Sequence, residues 1–266
     1  IILLPGLAHA SDAEHIAAKV LACFAAPFQA GDHEFFTSAS IGTSLYPQDG
    51  TDVATLVKNA DAAMYRSKAT GRNRVESYTR DLTTQATMRI ALEHELRRAI
   101  ERDELSLSYQ PKFSIDSDLL VGAEALIRWK HPNFGDVPPE HFIPLAEENG
   151  MILQIGDWVL ETACRQMFEW SRIYQPLGPL SVNLAGAQLR QPNLLVRIEQ
   201  LLKDNRLRPD LLQLEITENF IMSQAEEALA VLHQLKHLGV QLAIDDFGTG
   251  YSSLSYLKRL PLDILK

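Results

Sequence analysis

The chain has 266 residues, 46% of them hydrophobic and 22% charged, which is ordinary for a globular protein of one large domain or two modest ones. Its formal net charge of -9 argues against a surface built to attract DNA or RNA. No apolar run reaches the roughly 18 residues that a membrane span requires. An acidic protein can still hold a phosphate compound through a bridging metal ion.

The first 78 residues alternate between short strand signals and helix signals. Ser11, with Glu14 three residues later, has the spacing of a capping box at the start of a helix. Thr51 follows a turn and is placed to cap a second helix. The predicted elements, in chain order, are a buried strand at 1–5, a helix at 11–25, one or two strands at 35–46, a helix at 51–71 and a strand at 74–78.

A longer helix is predicted to start at Asp81 and to end near residue 102. Its apolar residues recur every four positions, while the rest of the segment is mostly charged. These apolar residues are Met88, Leu92, Leu96 and Ile100. The pattern indicates a connector helix with one apolar face, and it fits a plain spacer as well as an element that transmits a signal.

From Leu105 onwards, apolar strand signals alternate with helical patterns about every thirty residues, which is typical of a parallel sheet covered by helices. The predicted strands lie at 105–109, 119–127, 180–184, 211–216, 240–244 and 262–265. Six such strands predict an α/β fold of the (β/α) barrel type, with the barrel cut short. The first two strands are joined by only a short polar link at 114–118, so we expect them to be antiparallel.

Oxygen-bearing side chains stand at the ends of four consecutive predicted strands: Glu124, Asn183, Glu215, Asp245 and Asp246. In a (β/α) barrel the C-terminal ends of the strands share one face, and that face holds the site. Oxygen ligands of this kind suit Mg²⁺ or Mn²⁺. Taken singly, each residue could equally cap a helix; the adjacent pair Asp245 and Asp246 repel each other unless a cation lies between them.

Six motifs in this half carry a resemblance to a known family. They read YQPK at 109–112, EALIRW at 124–129, FIPLAE at 142–147, EITE at 215–218, DDFGTGYSSL at 245–254 and LDILK at 262–266. Residues 104–266 therefore resemble EAL domains, and the motifs keep that family's order. The resemblance implies a TIM-type (β/α)8 barrel with an antiparallel first strand pair.

The N-terminal half carries a second resemblance. It has the motifs ASIGTS at 39–44, NADAAMY at 59–65 and KATGRN at 68–73. Residues 1–78 thus resemble the C-terminal part of a GGDEF domain, which is a palm-like α+β fold, and residues 79–103 would form the connector. The turn that names this family lies outside the chain, so the part present supports no claim of cyclase activity, and an active, a GTP-regulatory and an inert GGDEF half all stay open.

The EAL resemblance implies metal-dependent hydrolysis of cyclic-di-GMP to linear pGpG with two divalent ions, Mg²⁺ or Mn²⁺. It assigns the first ion to Glu124, Asn183, Glu215 and Asp245, and the second to Asp245 and Asp246. Glu124, Asp246 and Lys266 would be catalytic, with Lys266 stabilising charge in the transition state. Gln110, Leu126 and Arg128 would contact the substrate, and Phe247, Gly248, Thr249 and Gly250 would form a loop over the site.

Two departures from the family pattern affect these expectations. Ala185 replaces a serine that usually follows the ligand Asn183, which removes a supporting hydroxyl. The family's next acidic residue and its last barrel strands would lie beyond Lys266, so we expect the 266-residue piece to hydrolyse poorly. A cytoplasmic bacterial protein is expected, and an inner-membrane anchor outside this chain is left open.

Two alternatives to catalysis remain open at the level of sequence. A degenerate EAL domain could bind cyclic-di-GMP as a receptor without cutting it. An enzyme is favoured because the candidate metal ligands and the candidate catalytic lysine are all retained: Glu124, Asn183, Glu215, Asp245, Asp246 and Lys266. The GGDEF part and the connector helix could also act as a regulatory scaffold. In that scaffold they would mediate dimerisation and gating, whereas for the EAL enzyme a homodimer formed through the EAL domain is expected.

Overall fold

The computed structural model describes residues 1–31, 33–173, 178–223, 225–248 and 259–266. The chain divides into two compact units, Ile1–Ala91 and Leu92–Lys266. No helix in the described ranges is long and apolar enough to cross a membrane.

The first unit contains two helices, two small sheets and the start of a third helix. Its elements are α1 (Ala10–Ala22), β1 (Phe28–Ala30), β2 (His33–Phe35), β3 (Ile41–Thr43), α2 (Val53–Ala69), β4 (Val75–Ser77) and α3 (Arg80–Ala99). Strands β1 and β2 are antiparallel, and β3 and β4 are parallel. Helix α3 begins in this unit and ends in the second one.

Helix α2 packs closely on β3 because β3 has a glycine at the contact. A Cβ atom on Gly42 would lie 2.1 Å from both the carbonyl oxygen of Ala60 and the amide nitrogen of Met64. The helix begins at Asp52, whose carboxylate accepts hydrogen bonds from the Thr55 amide at 2.9 Å and the Thr55 hydroxyl at 2.7 Å. The predicted cap at Thr51 is therefore wrong by one residue, since the carboxylate of Asp52 reaches the free amide.

Two predictions for the N-terminal segment are also wrong. Residues 1–5 form no strand, and Ile1 and Leu3 are exposed, since no described strand pairs with them. Helix α1 is capped at His9, whose amide donates to Asp12 Oδ2 at 2.9 Å. The capping pair Ser11 and Glu14 instead lies inside the helix.

The second unit contains a seven-stranded sheet with helices between the strands. Its strands are β5 (Leu105–Phe113), β6 (Leu120–His131), β7 (Gly135–Val137), β8 (Leu180–Asn183), β9 (Leu212–Thr217), β10 (Gln241–Asp245) and β11 (Ile264–Leu265). Its helices after α3 are α4 (Pro139–Glu148), α5 (Ile152–Ser171), α6 (Gly186–Leu189), α7 (Leu194–Asp204), a 3₁₀ turn (Pro209–Leu211), α8 (Glu218–Ser223) and α9 (Ala225–Leu238).

The strand order of this sheet is β11-β10-β9-β8-β6-β5, with β7 paired to β6. Strands β6, β8, β9, β10 and β11 run parallel, whereas β5 and β7 are antiparallel to β6. The predicted α/β class and the antiparallel first strand pair are confirmed. All C-terminal ends of the parallel strands therefore lie at one edge of the sheet.

Fully buried side chains from the strands and the covering helices form the core. Val182, Leu214 and Leu242 are 0% exposed on the strands, and Ile198 and Leu232 are 0% exposed on the helices. Short β7 and helix α4 were not predicted. Strand β7 has only three residues, and Pro144 interrupts the helical signal of α4, although its buried residues Phe142, Leu145 and Ala146 have helical spacing.

The C-terminal half of α3 packs into the second unit. Leu92 and Leu96 are 2% and 0% exposed. Glu95 Oε2 accepts a hydrogen bond from Arg102 at 2.6 Å and lies 3.5 Å from His131 Nε2. The apolar face of the connector is thus not free for a partner at Leu92 and Leu96. His131, the last residue of β6, is 3% exposed.

Candidate active site

Carboxylates from three parallel strands converge on one ammonium group at the C-terminal edge of the sheet. Lys266 Nζ, one residue after β11, donates to Glu124 Oε2 of β6 at 2.7 Å and to Glu215 Oε2 of β9 at 2.8 Å. Asp245 Oδ2 of β10 lies 3.6 Å from the same nitrogen. The register explains this meeting, since Asp245 lies opposite Thr217, two residues after Glu215, and Lys266 directly follows the partner of Ile244.

Asn183 completes this group, which we call the carboxylate cluster: Glu124, Asn183, Glu215, Asp245 and Lys266. Asn183 is the last residue of β8, where it lies opposite Glu215. Its amide nitrogen donates to Glu124 Oε1 at 3.0 Å. Four of the five strand-end side chains predicted from the sequence are therefore brought together around Lys266.

Glu215 and Lys266 both remain charged in this environment. Burial of Glu215 disfavours its charged form, but hydrogen bonds from Lys112 and Lys266 outweigh burial and hold the pKa of its carboxyl below the usual value. Burial likewise disfavours the charged form of Lys266, but hydrogen bonds to Glu124 and Glu215 hold the pKa of its ammonium well above the usual value. Glu215 and Lys266 therefore form an ion pair at the centre of the cluster.

A polar layer lies below the cluster inside the sheet. Lys112 of β5 donates to Ser181 Oγ at 2.6 Å and to Glu215 Oε1 at 2.7 Å, and Gln213 Nε2 donates to the same Glu215 oxygen at 2.9 Å. Ser181, Gln213 and Glu215 are 0%, 2% and 1% exposed. The interior of a (β/α) barrel is usually filled by branched apolar side chains, so buried polar residues here point to a function.

Asp246 stands directly after the cluster with an unusual backbone. Its φ of 58° is in the left-handed region, and its amide donates to Asp245 Oδ1 at 3.0 Å. The following Phe247 donates its amide to the Lys266 carbonyl at 3.0 Å. These contacts tie the start of the predicted loop to the cluster, whereas Thr249 and Gly250 lie outside the described residues.

Glu218, the first residue of α8, contacts Gly248 of this loop. It is 2% exposed, and its Oε2 accepts a hydrogen bond from the Gly248 amide at 2.7 Å. Gly248 has a φ of 90°, a conformation that side-chain-bearing residues rarely adopt. A buried carboxylate at the start of α8 therefore anchors the loop that follows β10.

The three predicted substrate contacts lie on the first strand pair. Gln110 lies directly opposite Glu124 in the β5–β6 ladder. Leu126 and Arg128 follow Glu124 at two-residue steps, so all three share one face of β6. Arg128 is exposed, and its guanidinium donates to the neighbouring Ile127 carbonyl at 2.9 Å.

Sequence reasoning missed Lys112, Ser181, Gln213 and Glu218 as site residues. A signal was present for three of them, because Lys112 follows Gln110, Ser181 precedes Asn183 and Gln213 precedes Glu215 by two residues. Alternation along a strand places such pairs on one face. The buried state of Glu218 depends on the tertiary fold, so its sequence position gave no comparable signal.

The donors of the cluster fit a divalent cation. No group of three or more His, Cys, Asp and Glu side chains among the described residues is arranged to hold a metal ion as they stand. Instead, the positive charge at the centre is Lys266 Nζ, within 3.6 Å of three carboxylates. Three carboxylates and an amide oxygen are ligands that Mg²⁺ and Mn²⁺ accept.

Comparison with known proteins identifies the family. The EAL domain family matches residues 93–266, and the family described as diguanylate cyclase, GGDEF domain, matches residues 1–74. The chain belongs to the EAL domain family. Both resemblances noted in the sequence are thereby confirmed, and EAL membership implies dependence on divalent metal in general.

Two curated relatives are similar to most or all of this chain. The chain is 43% identical over 265 residues to MucR of Pseudomonas aeruginosa, a bifunctional diguanylate cyclase/cyclic di-GMP phosphodiesterase, covering 100% of the chain and 39% of MucR. It is 36% identical over 253 residues to the cyclic di-GMP phosphodiesterase PdeR of Escherichia coli, covering 95% of the chain and 38% of PdeR. The chain thus spans about two fifths of these relatives.

A solved structure supports the same assignment. The PaMucR phosphodiesterase in its c-di-GMP complex superposes on this chain with a TM-score of 0.64 and 46% sequence identity. The match covers 66% of this chain and 71% of that one. The second unit therefore has the fold of an EAL domain.

Proposed function

We propose that this EAL protein hydrolyses cyclic-di-GMP to linear pGpG. The observation that carries the proposal is the convergence of Glu124, Glu215 and Asp245 on one positive charge at the C-terminal edge of the sheet. The names of MucR and PdeR as cyclic di-GMP phosphodiesterases, and the c-di-GMP complex of PaMucR, support the choice of substrate.

The residues at the C-terminal edge of the sheet divide into proposed metal ligands and groups that stabilise charge. Glu124, Asn183, Glu215 and Asp245 would hold a first divalent ion, Mg²⁺ or Mn²⁺, and Asp245 and Asp246 a second. When bound, such ions activate a water molecule and stabilise the attacking and leaving oxygens of a phosphodiester. The negative charges of the carboxylates would offset the repulsion between the two divalent ions.

Lys266 has two roles in this proposal. Without metal its ammonium neutralises Glu124 and Glu215, as the hydrogen bonds of 2.7 and 2.8 Å indicate. With the site loaded, Lys266 would keep its proton on Nζ and would contact the phosphate or the attacking water, where its charge would stabilise developing negative charge. Water would add to one phosphorus atom as the bond from that phosphorus to the 3′ oxygen breaks, and the released 3′ oxygen would take up the proton that the water loses, which gives linear pGpG.

The face of β6 that carries Glu124 would receive the substrate. Arg128 has an exposed guanidinium, whose planar geometry matches a phosphate. Gln110 lies opposite Glu124 and can hydrogen-bond to a guanine edge. Leu126, between Glu124 and Arg128, offers an apolar surface, and the loop beginning at Phe247 would cover the ligand.

Three wider proposals accompany this function. Residues 1–78 would be the C-terminal part of a GGDEF domain, 79–103 a connector and 104–266 the EAL domain. A second copy would associate through the EAL domain, which sedimentation at several concentrations would detect. A cytoplasmic location in bacteria follows from the proposed substrate.

The proposal is tested by incubating the protein at its full natural length with cyclic-di-GMP and Mn²⁺ or Mg²⁺ and separating the products chromatographically. We expect linear pGpG with metal and none with EDTA. Glu124→Ala should abolish the product, because it removes a ligand and a partner of Lys266 and Asn183. Glu140→Ala, an exposed carboxylate in the first turn of α4, is the matched control and should retain the activity.

The outcomes separate the enzyme from the receptor. Tight binding of cyclic-di-GMP without any pGpG, in the presence of either metal, would identify a receptor and contradict the proposed hydrolysis. Equal product from wild type and Glu124→Ala would contradict the role of the carboxylate cluster.

A further inference from the structure

Glu215 uses its two carboxylate oxygens for different contacts. Oε1 accepts hydrogen bonds from Lys112 Nζ at 2.7 Å and from Gln213 Nε2 at 2.9 Å, and Oε2 accepts one from Lys266 Nζ at 2.8 Å. Because a carboxylate oxygen has about two lone-pair directions, the two donors occupy those of Oε1. Only Oε2 faces the centre of the carboxylate cluster.

The two donors to Oε1 are held firmly in place. Gln213 is 2% exposed and lies on β9 two residues before Glu215, so both side chains share a face of the strand. Lys112 reaches across the sheet from β5 and is fixed by its second hydrogen bond, of 2.6 Å, to the fully buried Ser181. Glu215 therefore cannot turn Oε1 towards the centre of the carboxylate cluster without breaking its hydrogen bonds to Lys112 and Gln213.

This arrangement bears on which cation fits. Mg²⁺ demands near-ideal octahedral geometry at about 2.0–2.1 Å, whereas Ca²⁺ takes six to eight oxygens at about 2.3–2.6 Å and readily uses both oxygens of one carboxylate. A glutamate restricted to one oxygen suits the smaller ion. Resting on the proposed metal site, we infer that Lys112 and Gln213 limit Glu215 to one ligating oxygen and thereby make the site select Mg²⁺ or Mn²⁺ over Ca²⁺.

The positive charge of Lys112 also affects metal affinity directly, and the experiment must separate this effect from the contact with Oε1. Its ammonium repels every divalent cation, so replacing it raises the affinity for all of them. Mn²⁺ and Ca²⁺ carry the same charge, and the ratio of their affinities therefore cancels most of this repulsion. Gln213 is neutral, and its replacement changes the contact with Oε1 without changing the charge.

The experiment titrates Mn²⁺ and Ca²⁺ separately into the metal-free protein by calorimetry and needs no turnover. Lys112→Met and Gln213→Leu are expected to lower the ratio of the Ca²⁺ Kd to the Mn²⁺ Kd about 10-fold, a typical effect for residues that support a metal ligand. Lys112→Arg, which keeps a donor to Oε1, should have a ratio of the Ca²⁺ Kd to the Mn²⁺ Kd close to that of the wild type. Lys130→Met removes an exposed lysine from β6 and should leave the ratio unchanged.

The outcomes distinguish this inference from the proposed function. If wild type and Lys130→Met bind Mn²⁺, and both test variants are folded by circular dichroism but keep the wild-type ratio, the selectivity role is overturned and the metal site stands. If wild type binds neither ion, the metal site and the inference fail together. If Lys112→Met does not fold, Gln213→Leu alone decides, because it leaves every charge in place.

Discussion

Lys266 is the residue on which the site is centred. Its ammonium contacts Glu124 and Glu215 and lies near Asp245, so it occupies the position towards which the ligands of the proposed metal site point. The same lysine would therefore compete with a divalent ion for the carboxylates and assist hydrolysis once displaced. These two roles have opposite consequences for metal affinity and for rate.

Replacement of this lysine should separate those consequences. In Lys266→Met, we expect Mn²⁺ affinity to equal or exceed that of the wild type, because a competing positive charge is gone, and kcat to fall about 100-fold through loss of charge stabilisation. Calorimetry and the rate of pGpG formation measure the two effects. Lys203→Met on α7 is the control, since that lysine pairs with Glu199 on the helix surface. A parallel loss of affinity and rate would refute the competition.

The ligands themselves could be predicted from the sequence, but the residues that orient them could not. Glu124, Asn183 and Glu215 are recognisable because each is a polar side chain within or at the end of an apolar run. Lys112 and Gln213 instead depend on the register between strands, which brings β5 and β9 side chains to one point. Register arises from the whole sheet, so a single strand does not reveal it.

Elements with a clear apolar pattern were predicted closely, and elements that depend on neighbours were not. The strand predicted at 211–216 is β9 at Leu212–Thr217, which has five buried residues in succession. The strand predicted at 1–5 is absent, because an apolar run forms a strand only when another strand pairs with it. The predicted domain limits at 78 and 103 stay a prediction.

The apolar residues of helix α3 differ in burial along the helix. Leu96→Ala should destabilise the protein by about 3 kcal/mol, because its side chain is 0% exposed and its loss leaves a cavity. Ile90→Ala on the same helix should change stability by less than about 0.5 kcal/mol, since Ile90 is 70% exposed. Urea unfolding measures both, and equal losses would contradict the packing described for α3.

Glu95 on the same helix should make stability depend on pH. The hydrogen bond from Arg102, with further contacts from His94 and His131, lowers the pKa of Glu95 from 4.5 to about 2. A lowered pKa means that the ionised form stabilises the fold above about pH 4.5, and that this stabilisation is lost as the pH falls towards 2.

Glu95→Gln should therefore lower the Tm at pH 7, and the difference from wild type should shrink between pH 4.5 and pH 2. Thermal unfolding followed by circular dichroism across this range measures it. Glu93→Gln, two residues earlier on α3, is the control and should follow the wild type. A Tm difference that does not change with pH would contradict the ionic contact with Arg102.

The acidic balance of the chain makes the proposed binding of an anionic substrate depend on bound cations. The chain carries a formal charge of -9, and four of its acidic side chains, Glu124, Glu215, Asp245 and Asp246, stand at one edge of the sheet. Cyclic-di-GMP would be repelled by these groups unless metal ions and Lys266 reverse the local charge. Metal binding and substrate binding should accordingly be coupled.

The most direct test of this account is the position of a metal ion in crystals grown with Mn²⁺, located by anomalous diffraction at the manganese edge. The account predicts a peak about 2.2 Å from oxygens of Glu124, Glu215 and Asp245, with Lys266 Nζ displaced from its hydrogen bonds. A crystal in which Nζ still bonds Glu124 and Glu215, with no anomalous peak between the carboxylates, would contradict the metal site on which the proposed hydrolysis depends.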